Sequence, residues 1–523
     1  MPAKVTDAMS MGVACLVTPV PPMQPLIDKD VVEVFNGDVP LHERIRQILD
    51  HTEETADRAA RARQVFLESY SYEAVRPVAA AAIETLLAEP PPLAPPLRSL
   101  VTAARVLFQP EAVPPPSARR RVPAGSTFDL VVFWKQNDTG IYGRRQDMFM
   151  KYLERSGRFH TIVHFDQPMS AEALLQVARR SVGSTDQNRL VLCQTLRRLV
   201  HRGDHGAVRQ RTFLYGNGRA ARALRLPSRA EYPSYVKSVL EKEGIGGRPL
   251  MCWVYPTNTY FPSVVDALRP DVVVADVVDD NRTWYSPGTP GYEQLEQNYA
   301  DVLARSDVVL ANCEPVAASM RAFAPRVELV PNACELPVAG EARGRGPELA
   351  DLHGPIIGYA GNLSDRIDLT LLRQLAQARR DWTFVFLGSA HLDRSALALG
   401  EEPNVRLLGT KPYDEARALI GQFDVGLIPH LDNEMTRSMN PLKAFVYCSL
   451  GVPIVSTPVA NIGEMAEFIT IADGPEEFLR AIEGALRTGR QVPDADRLRP
   501  HSWDDRVERV LALVDDVVDA RPA

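Results

Sequence analysis

No run of this 523-residue chain is apolar over the length needed to cross a bilayer, and the N-terminus lacks the apolar core of a secretion signal. Cysteine is scarce. The six cysteines, at positions 15, 193, 252, 313, 334 and 448, form no C-x-x-C pair, which argues against a zinc site and against a disulfide framework. The setting this implies is a reducing cytoplasm. Positive charge is in deficit as well: a net charge of −7 is unlike that of a general nucleic-acid binder. What remains is an ordinary globular composition, 45% hydrophobic and 24% charged, on a chain long enough for two or three domains.

Proline marks the first boundary. Residues 89–96 read EPPPLAPP and 114–116 read PPP, followed by Arg119, Arg120 and Arg121. Such stretches neither pair in a sheet nor continue a helix, so 89–125 reads as a semi-rigid linker. Between them LRSLVTAARVLF (97–108) places Leu97, Leu100, Val101, Ala104, Leu107 and Phe108 on one helical face. Docking on a domain is the plainer reading of that face, attachment to a membrane surface the other.

From residue 126 onward, short apolar runs alternate with helical stretches. FDLVVFW (128–134), HTIVHF, PLMCWVY, DVVVADVV and DVVLAN form a first series; PIIGYAG (355–361), TFVFLG, VRLLG, DVGLIP and PIVSTP form a second. Continuous apolar strands separated by helices imply parallel sheets covered on both faces. Two doubly wound α/β domains are expected, 126–335 and 336–523, with 333–354 as the hinge and a terminal helix closing the second.

An internal repeat precedes them. PAKVTDAMSMGVACLVTPV (2–20) lies over PLKAFVYCSLGVPIVSTPV (441–459) without a gap, matching Pro2, Lys4, Gly12, Val13, Thr18, Pro19 and Val20. Farther on, SYSYEAVRPV (69–78) resembles PHSWDDRVERV (500–510). Residues 1–88 therefore read as the last part of a second copy of the C-terminal domain, without its first strands.

The ordered stretches GYAGNLSDRIDLTLL, NVRLLGTKPYDEARALIGQFDVGLIPH and TRSMNPLKAFVYCSLGVPIVSTP resemble the family 4 type of GT-B glycosyltransferases. TGIYGRRQDMFMKYL, VVVADVVDDN and SDVVLANCEPV support the likeness in the first half. The nearest style is that of bacterial enzymes building capsule, cell-wall or exopolysaccharide chains. The resemblance implies two Rossmann-like domains facing a cleft, a nucleotide-sugar donor (UDP- or GDP-linked) on the second and a glycan or lipid-linked acceptor on the first. It also implies retention of configuration, no essential metal and no cofactor.

Candidate site residues follow. Gly358, Gly361 and Asn362 read as a turn after the first strand of the second domain, where backbone N–H groups can approach a diphosphate. Arg366 and Lys443 would stabilise the leaving nucleoside diphosphate; the plainer role for Arg366 is a solvated loop arginine beside Asp365 or Asp368. In the loop DNEMTRSMN (432–440), Thr436, Ser438, Met439 and Asn440 are candidates to hold the sugar or phosphate; Asp432 and Glu434 either face the sugar or, the plainer reading, lie on the surface. Thr139, Gly140, Gly143 and Arg144 belong to the loop expected to line the acceptor side. Asp279 and Asp280 either activate an acceptor hydroxyl or cap the segment that follows.

Two features depart from that pattern or stand outside it. Val446 occupies the position of the family glutamate that accepts hydrogen bonds from the nucleotide ribose, and Asp7 takes that place in the first copy. The companion glutamate falls at Ser438. Residues 197–229 carry nine arginines against Asp204 alone, which is either a solvated face or a contact for an anionic membrane surface. GNGRAA (216–221) lacks the acidic partner of a dinucleotide fingerprint, so a nicotinamide cofactor is not expected. A glycosyltransferase is the leading expectation. A catalytically silent module of the same fold and a nucleotide-sugar epimerase are the alternatives.

Overall fold

The computed structural model describes residues 3–11, 13–17, 19, 23–37, 39–69, 119–181, 186–201, 203–216, 226–337, 346–364, 366–390 and 394–521. The chain divides into two compact units, Met1–Glu111 and Ala112–Ala523. Most of the expected linker, including 97–108, lies outside the described residues, as do 70–78 and most of GNGRAA.

Unit 1 holds helix Ala3–Ser10, strand β1 (Leu16–Val17), strand β2 (Glu33–Val34) and helices Leu41–Asp50 and Thr52–Ser69. β1 and β2 pair in parallel, with Leu16 opposite Glu33. Met9, Val17, Leu26, Val31, Val32 and Ala62 make a small apolar core. The side chains of Lys4 and Asp7 are not among those described.

The first described residues of unit 2 are the arginine triplet, which is docked rather than free. Arg119 pairs with Asp307, Arg120 with Asp271, and Arg121 with Asp519 at 2.6 Å. The first sheet is built from β3 (Phe128–Phe133), β4 (Phe159–Phe165), β6 (Val208–Arg211), β8 (Leu250–Val254), β9 (Val272–Val277), β10 (Val308–Ala311) and β11 (Glu328–Leu329). Its order is β11-β10-β9-β8-β3-β4-β6, and every pairing is parallel. A minor pair, β5 (Met169–Ser170) and β7 (Leu214–Tyr215), lies beside it in sequence. Every residue of β3 and β9 is buried, as expected of strands covered by helices on both faces.

The second sheet comprises β12 (Ile356–Ala360), β13 (Thr383–Leu387), β14 (Val405–Gly409), β15 (Val425–Ile428), β16 (Ile454–Ser456) and β17 (Ile469–Ile471). It is again wholly parallel, ordered β14-β13-β12-β15-β16-β17. The stretch from helix Leu442–Ser449 through β16 and β17 to helix Gly474–Thr488 repeats the element order of unit 1. The sequence repeat is thus a repeat of element order too.

The expected assignment of the terminal helix needs correcting. Trp503–Asp519 packs into the core of the first half, where Trp503, Val507, Val510, Val514 and Val518 join Phe128, Leu130 and Phe149. The Trp503 and Phe149 ring centroids are 5.3 Å apart. The helix is amphipathic, and sequence period says only that one face is buried, not against which sheet.

In each sheet one central strand, β3 or β12, has its sequence successor on one side and a later strand on the other. At such switch points the loops after neighbouring strands diverge and leave a crevice. Direct bonds tie the two halves: Asn332 N and Nδ2 donate to Asn440 Oδ1 and O, both at 2.8 Å. Tyr413 N donates to Ile141 O at 2.8 Å, and Tyr413 Oη donates to Glu335 at 2.7 Å.

Candidate active site

The site is assembled from loops that follow β9, β12, β13 and β15, with the start of helix Leu442–Ser449. Gly361 follows β12 with φ +143°, and its N–H donates to Leu387 O at 2.7 Å. A Cβ at Gly361 would lie 2.7 Å from the Tyr359 hydroxyl. Gly388, which sequence reasoning did not single out, has φ +139°, and a Cβ there would collide with Gly361 O. Two glycines are therefore required where the loops after β12 and β13 meet. The signal was the glycine closing TFVFLG. Asn362 is exposed, and its Oδ1 accepts from Ser389 N at 3.4 Å.

Gly358 is a correction. It does not follow β12 but lies inside it, and a Cβ there would overlap the Phe423 ring. Packing against Phe423 requires glycine here. Gly358→Ala should lower the stability of the second half by about 1–3 kcal/mol through overpacking. Thermal unfolding should register that loss, while nucleoside diphosphate affinity stays within twofold of wild type.

Arg366 and Lys443 converge beyond this turn. Arg366 Nε is buried without a hydrogen-bond partner, and Nη1 lies 3.5 Å from Met439 Sδ. Lys443 Nζ lies 3.0 Å from His430 Nε2 and 5.1 Å from the centre of the Tyr359 ring. Among the described residues neither cation makes an ion pair. Of the two acids in the plainer role for Arg366, Asp368 caps helix Leu369–Ala378 by accepting from Leu371 N, and Asp365 lies outside the described residues. Burial, and then Arg366, push the Lys443 ammonium down to about 7. His430, also missed in the sequence although it closes LIPH, is held neutral by burial and by both cations. A neutral ring can accept from Lys443 at Nε2.

The loop 432–440 serves mainly itself. Thr436 Oγ1 donates to Leu431 O at 2.6 Å, and Thr436 N bonds to Asn433 Oδ1 at 3.0 Å, closing a short capped helix. Its hydroxyl is thus occupied. Ser438 is half-buried at the end of that helix, and Met439 O accepts from Asn461 Nδ2 at 3.1 Å. Asn440 latches the two halves, as described above. Asp432 pairs with Arg437 at 2.7 Å and Glu434 is exposed, both in keeping with the plainer reading. Val446 is half-buried against the apolar cluster of Phe445, Tyr447 and Ile454.

The two aspartates after β9 part company. Asp280 caps the turn Asn281–Trp284 and accepts from Arg282 N, Arg282 Nη2 and Ser319 Oγ, the last two at 2.8 Å. Burial would raise its pKa, but the hydrogen bonds from Arg282 and Ser319 outweigh that and hold it below the usual range. Asp279 has φ +62°, a left-handed conformation that non-glycine residues rarely adopt, and accepts from Asn312 Nδ2 at 2.9 Å. Burial raises its pKa against the pull of Asn312, Lys135 and Arg366. Asp279 therefore feels the charges of Lys135 and Arg366, whereas Asp280 is tied to Arg282 and Ser319. Lys135, in the loop just after β3, is a further cation missed in the sequence; burial lowers its pKa to about 8.

On the opposite loop Thr139 is structural: its hydroxyl donates to buried Asp166 at 2.9 Å. Gly140 N donates to Asp147 at 2.7 Å, and Gly143, with φ +59°, lies against the Tyr413 ring, where a Cβ would overlap it. Arg144 bonds Gln136 at 2.9 Å and pairs with Asp138.

The arginine-rich segment is not one basic face. Arg198 is 1% exposed, pairs with Asp166 and donates to the carbonyls of Asn137 and Thr139. Arg211 is buried between Asp204 and Glu243. Arg202, Arg219, Arg222 and Arg225 lie outside the described residues. Asp166, which pairs with Arg198, and Glu243, the second partner of Arg211, lie outside the 197–229 window, so local charge counting could not find them.

Residues 354–488 match the family described as glycosyl transferases group 1. Over 140 residues the chain is 26% identical to TuaH of Bacillus subtilis (strain 168), a protein named as a teichuronic acid biosynthesis glycosyltransferase. That alignment takes in 25% of this chain and 35% of the relative's length. Solved structures with a similar course include a sucrose-phosphate synthase of Thermosynechococcus elongatus, 14% identical, covering 75% of this chain and 96% of that one at a TM-score of 0.47. Anabaena HepE in complex with UDP-glucose is 13% identical, covering 75% and 97% at a TM-score of 0.45. The matched stretch 354–488 contains Gly361, Arg366, Gly388, His430 and Lys443; Lys135 lies outside it. No helix among the described residues is long and apolar enough to cross a membrane.

Proposed function

We propose that this chain is a glycosyltransferase of the GT-B, family 4 type that moves a sugar from a nucleotide-sugar to a cell-surface glycan or its lipid-linked precursor. The observation that carries the reading is the pair Arg366 and Lys443, converging, with no carboxylate partner among the described residues, on a glycine turn at the ends of parallel strands. Such a pair suits a diphosphate, and it stabilises the negative charge that grows on the leaving nucleoside diphosphate. In this proposal the two cations take the electrostatic part that a metal takes in other transferases, and configuration is retained. Asp279, set across from Arg366 on a strained backbone, would face the sugar or the acceptor hydroxyl. The name of the Bacillus relative supports a surface-glycan acceptor, met on the cytoplasmic side of the membrane. Contact with an anionic leaflet would fall to Arg197 and Arg229, the exposed arginines described in the basic segment.

A second reading, a catalytically silent module, is favoured by Val446, which offers the ribose no acceptor and is partly engaged in the core. Incubating the purified chain with UDP-, GDP-, ADP-, dTDP- and CMP-linked sugars separates the two. Release of nucleoside diphosphate (or monophosphate from CMP-sugars) from at least one donor is expected. Binding without turnover of any donor would favour the silent module, and absence of both would remove the donor site.

A further inference from the structure

Beside the diphosphate site, the N-terminal half holds a group of polar atoms that the fold leaves unused. Asn281 is 4% exposed and opens the turn after β9. Its Oδ1 accepts from Lys135 Nζ at 2.9 Å. Because an ammonium only donates, that bond fixes the amide orientation and turns Nδ2 the other way. Nδ2 is buried with no partner. Nearby, Asn312 donates through Nδ2 to Asp279, and its Oδ1 is likewise buried and unpartnered. A buried amide group without a partner is costly, so two beside one cleft call for an explanation. Lys135 and Asn281 also line a niche of about 10 Å³ with Thr257 and Asp276, room for a single hydroxyl-sized group.

An aromatic surface adjoins them. Trp284 closes the same turn and is 47% exposed, whereas Trp134, Trp253, Trp382 and Trp503 are at most 2% exposed. Lys135 Nζ lies 5.6 Å from the centre of the Trp284 ring. The turn also stands next to helix Glu434–Arg437 of the other half, which places the ring at the cleft. An exposed indole beside an unsatisfied amide donor and a cation is the chemistry that holds a pyranose: the ring face covers C–H groups, and the polar atoms take hydroxyls.

We infer that Trp284, Asn281 and Lys135 form a saccharide subsite for a pyranose ring, separate from the diphosphate site. The inference rests on the proposed transferase reading. The pyranose is either that of the acceptor or the sugar of the donor.

Trp284 makes the test selective, since acrylamide quenching of the fluorescence reports mainly the single exposed tryptophan. Quenching should be followed with methyl glycosides of glucose, galactose, N-acetylglucosamine and glucuronate, then with nucleotide-sugars and the matching nucleoside diphosphates. At least a twofold drop in quenching slope is expected with a glycoside if the ring is the acceptor's. The drop should come with a nucleotide-sugar but not its nucleoside diphosphate if the ring is the donor's. Asn281→Ala and Lys135→Met should abolish the protection, and Asn281→Ala should leave nucleoside diphosphate affinity by calorimetry within twofold. Trp284→Leu, at an exposed position, should remove saccharide binding seen by saturation-transfer NMR even where Asn281→Ala weakens the fold. If a nucleoside diphosphate binds and no saccharide protects Trp284, the subsite is overturned and the donor reading stands. If no nucleoside diphosphate binds, the donor reading falls, and the glycoside arm alone decides the subsite.

Discussion

Lys443→Ala and Arg366→Ala are each expected to weaken nucleoside diphosphate binding by more than tenfold. Each variant removes a cation that has no carboxylate partner among the described residues and lies beside the turn of Gly361 and Gly388. A hydrogen bond to a charged group is worth about 1.5–3 kcal/mol, which corresponds to roughly 10- to 150-fold in affinity. Titration calorimetry measures this directly. Unchanged affinity in both variants would place the donor elsewhere. The variants should fold at least as well as wild type, because each relieves a crowding of like charges around neutral His430.

The same lysine makes binding depend on pH. Its pKa in the free protein is lowered to about 7, first by burial and then by Arg366. A bound diphosphate favours the ammonium form and raises that pKa. Affinity is therefore full below about pH 7 and falls as pH rises through it, by up to tenfold per unit until the pKa of the complex is reached. Near pH 8, binding should take up most of one proton, read from calorimetry in buffers of different ionisation enthalpy. Lys443→Met should abolish the uptake.

The second large effect expected concerns stability. Arg145→Met should destabilise unit 2 by about 3–5 kcal/mol, because it strands a buried charge. Arg145 pairs with Asp276 at 2.9 Å, and their side chains are 2% and 0% exposed. Burial already raises the Asp276 pKa while Arg145 pulls it down, so losing Arg145 raises it further. A carboxyl whose folded pKa lies above its unfolded value binds a proton on folding. The deficit relative to wild type should therefore shrink as pH falls toward the acid range. Urea unfolding at several pH values checks the sign. Arg145→Met combined with Asp276→Leu should recover much of the loss, since replacing both partners by apolar groups removes the stranded charge.

The parallel α/β architecture and the candidate cations were legible because they are local in the chain. Buried parallel strands read as unbroken apolar runs, as in FDLVVF and VVVADV; Arg366 sits just after the Gly361 turn, and Lys443 in the first turn of helix Leu442–Ser449. Gly358 misled for the same reason. It stands beside a turn in sequence, but only the position of Phe423, 65 residues on, makes it a packing glycine. The basic segment misled in a like manner, since Asp166 and Glu243 neutralise Arg198 and Arg211 from other elements.

Sequence alone determined the strand–helix alternation, the repeated PxK element and the residue types able to hold a diphosphate, all properties of pattern within short windows. Only tertiary structure decided which of the two adjacent aspartates feels the charges of Lys135 and Arg366. Asp280 turns to Arg282 and Ser319, while Asp279 is held in a left-handed conformation toward Asn312 and the cleft. Tertiary structure likewise brought His430 to Lys443 and carried the terminal helix back to the first sheet. These outcomes depend on charges and apolar faces that meet only after the chain has closed on itself, and no local period encodes which partner a face will find.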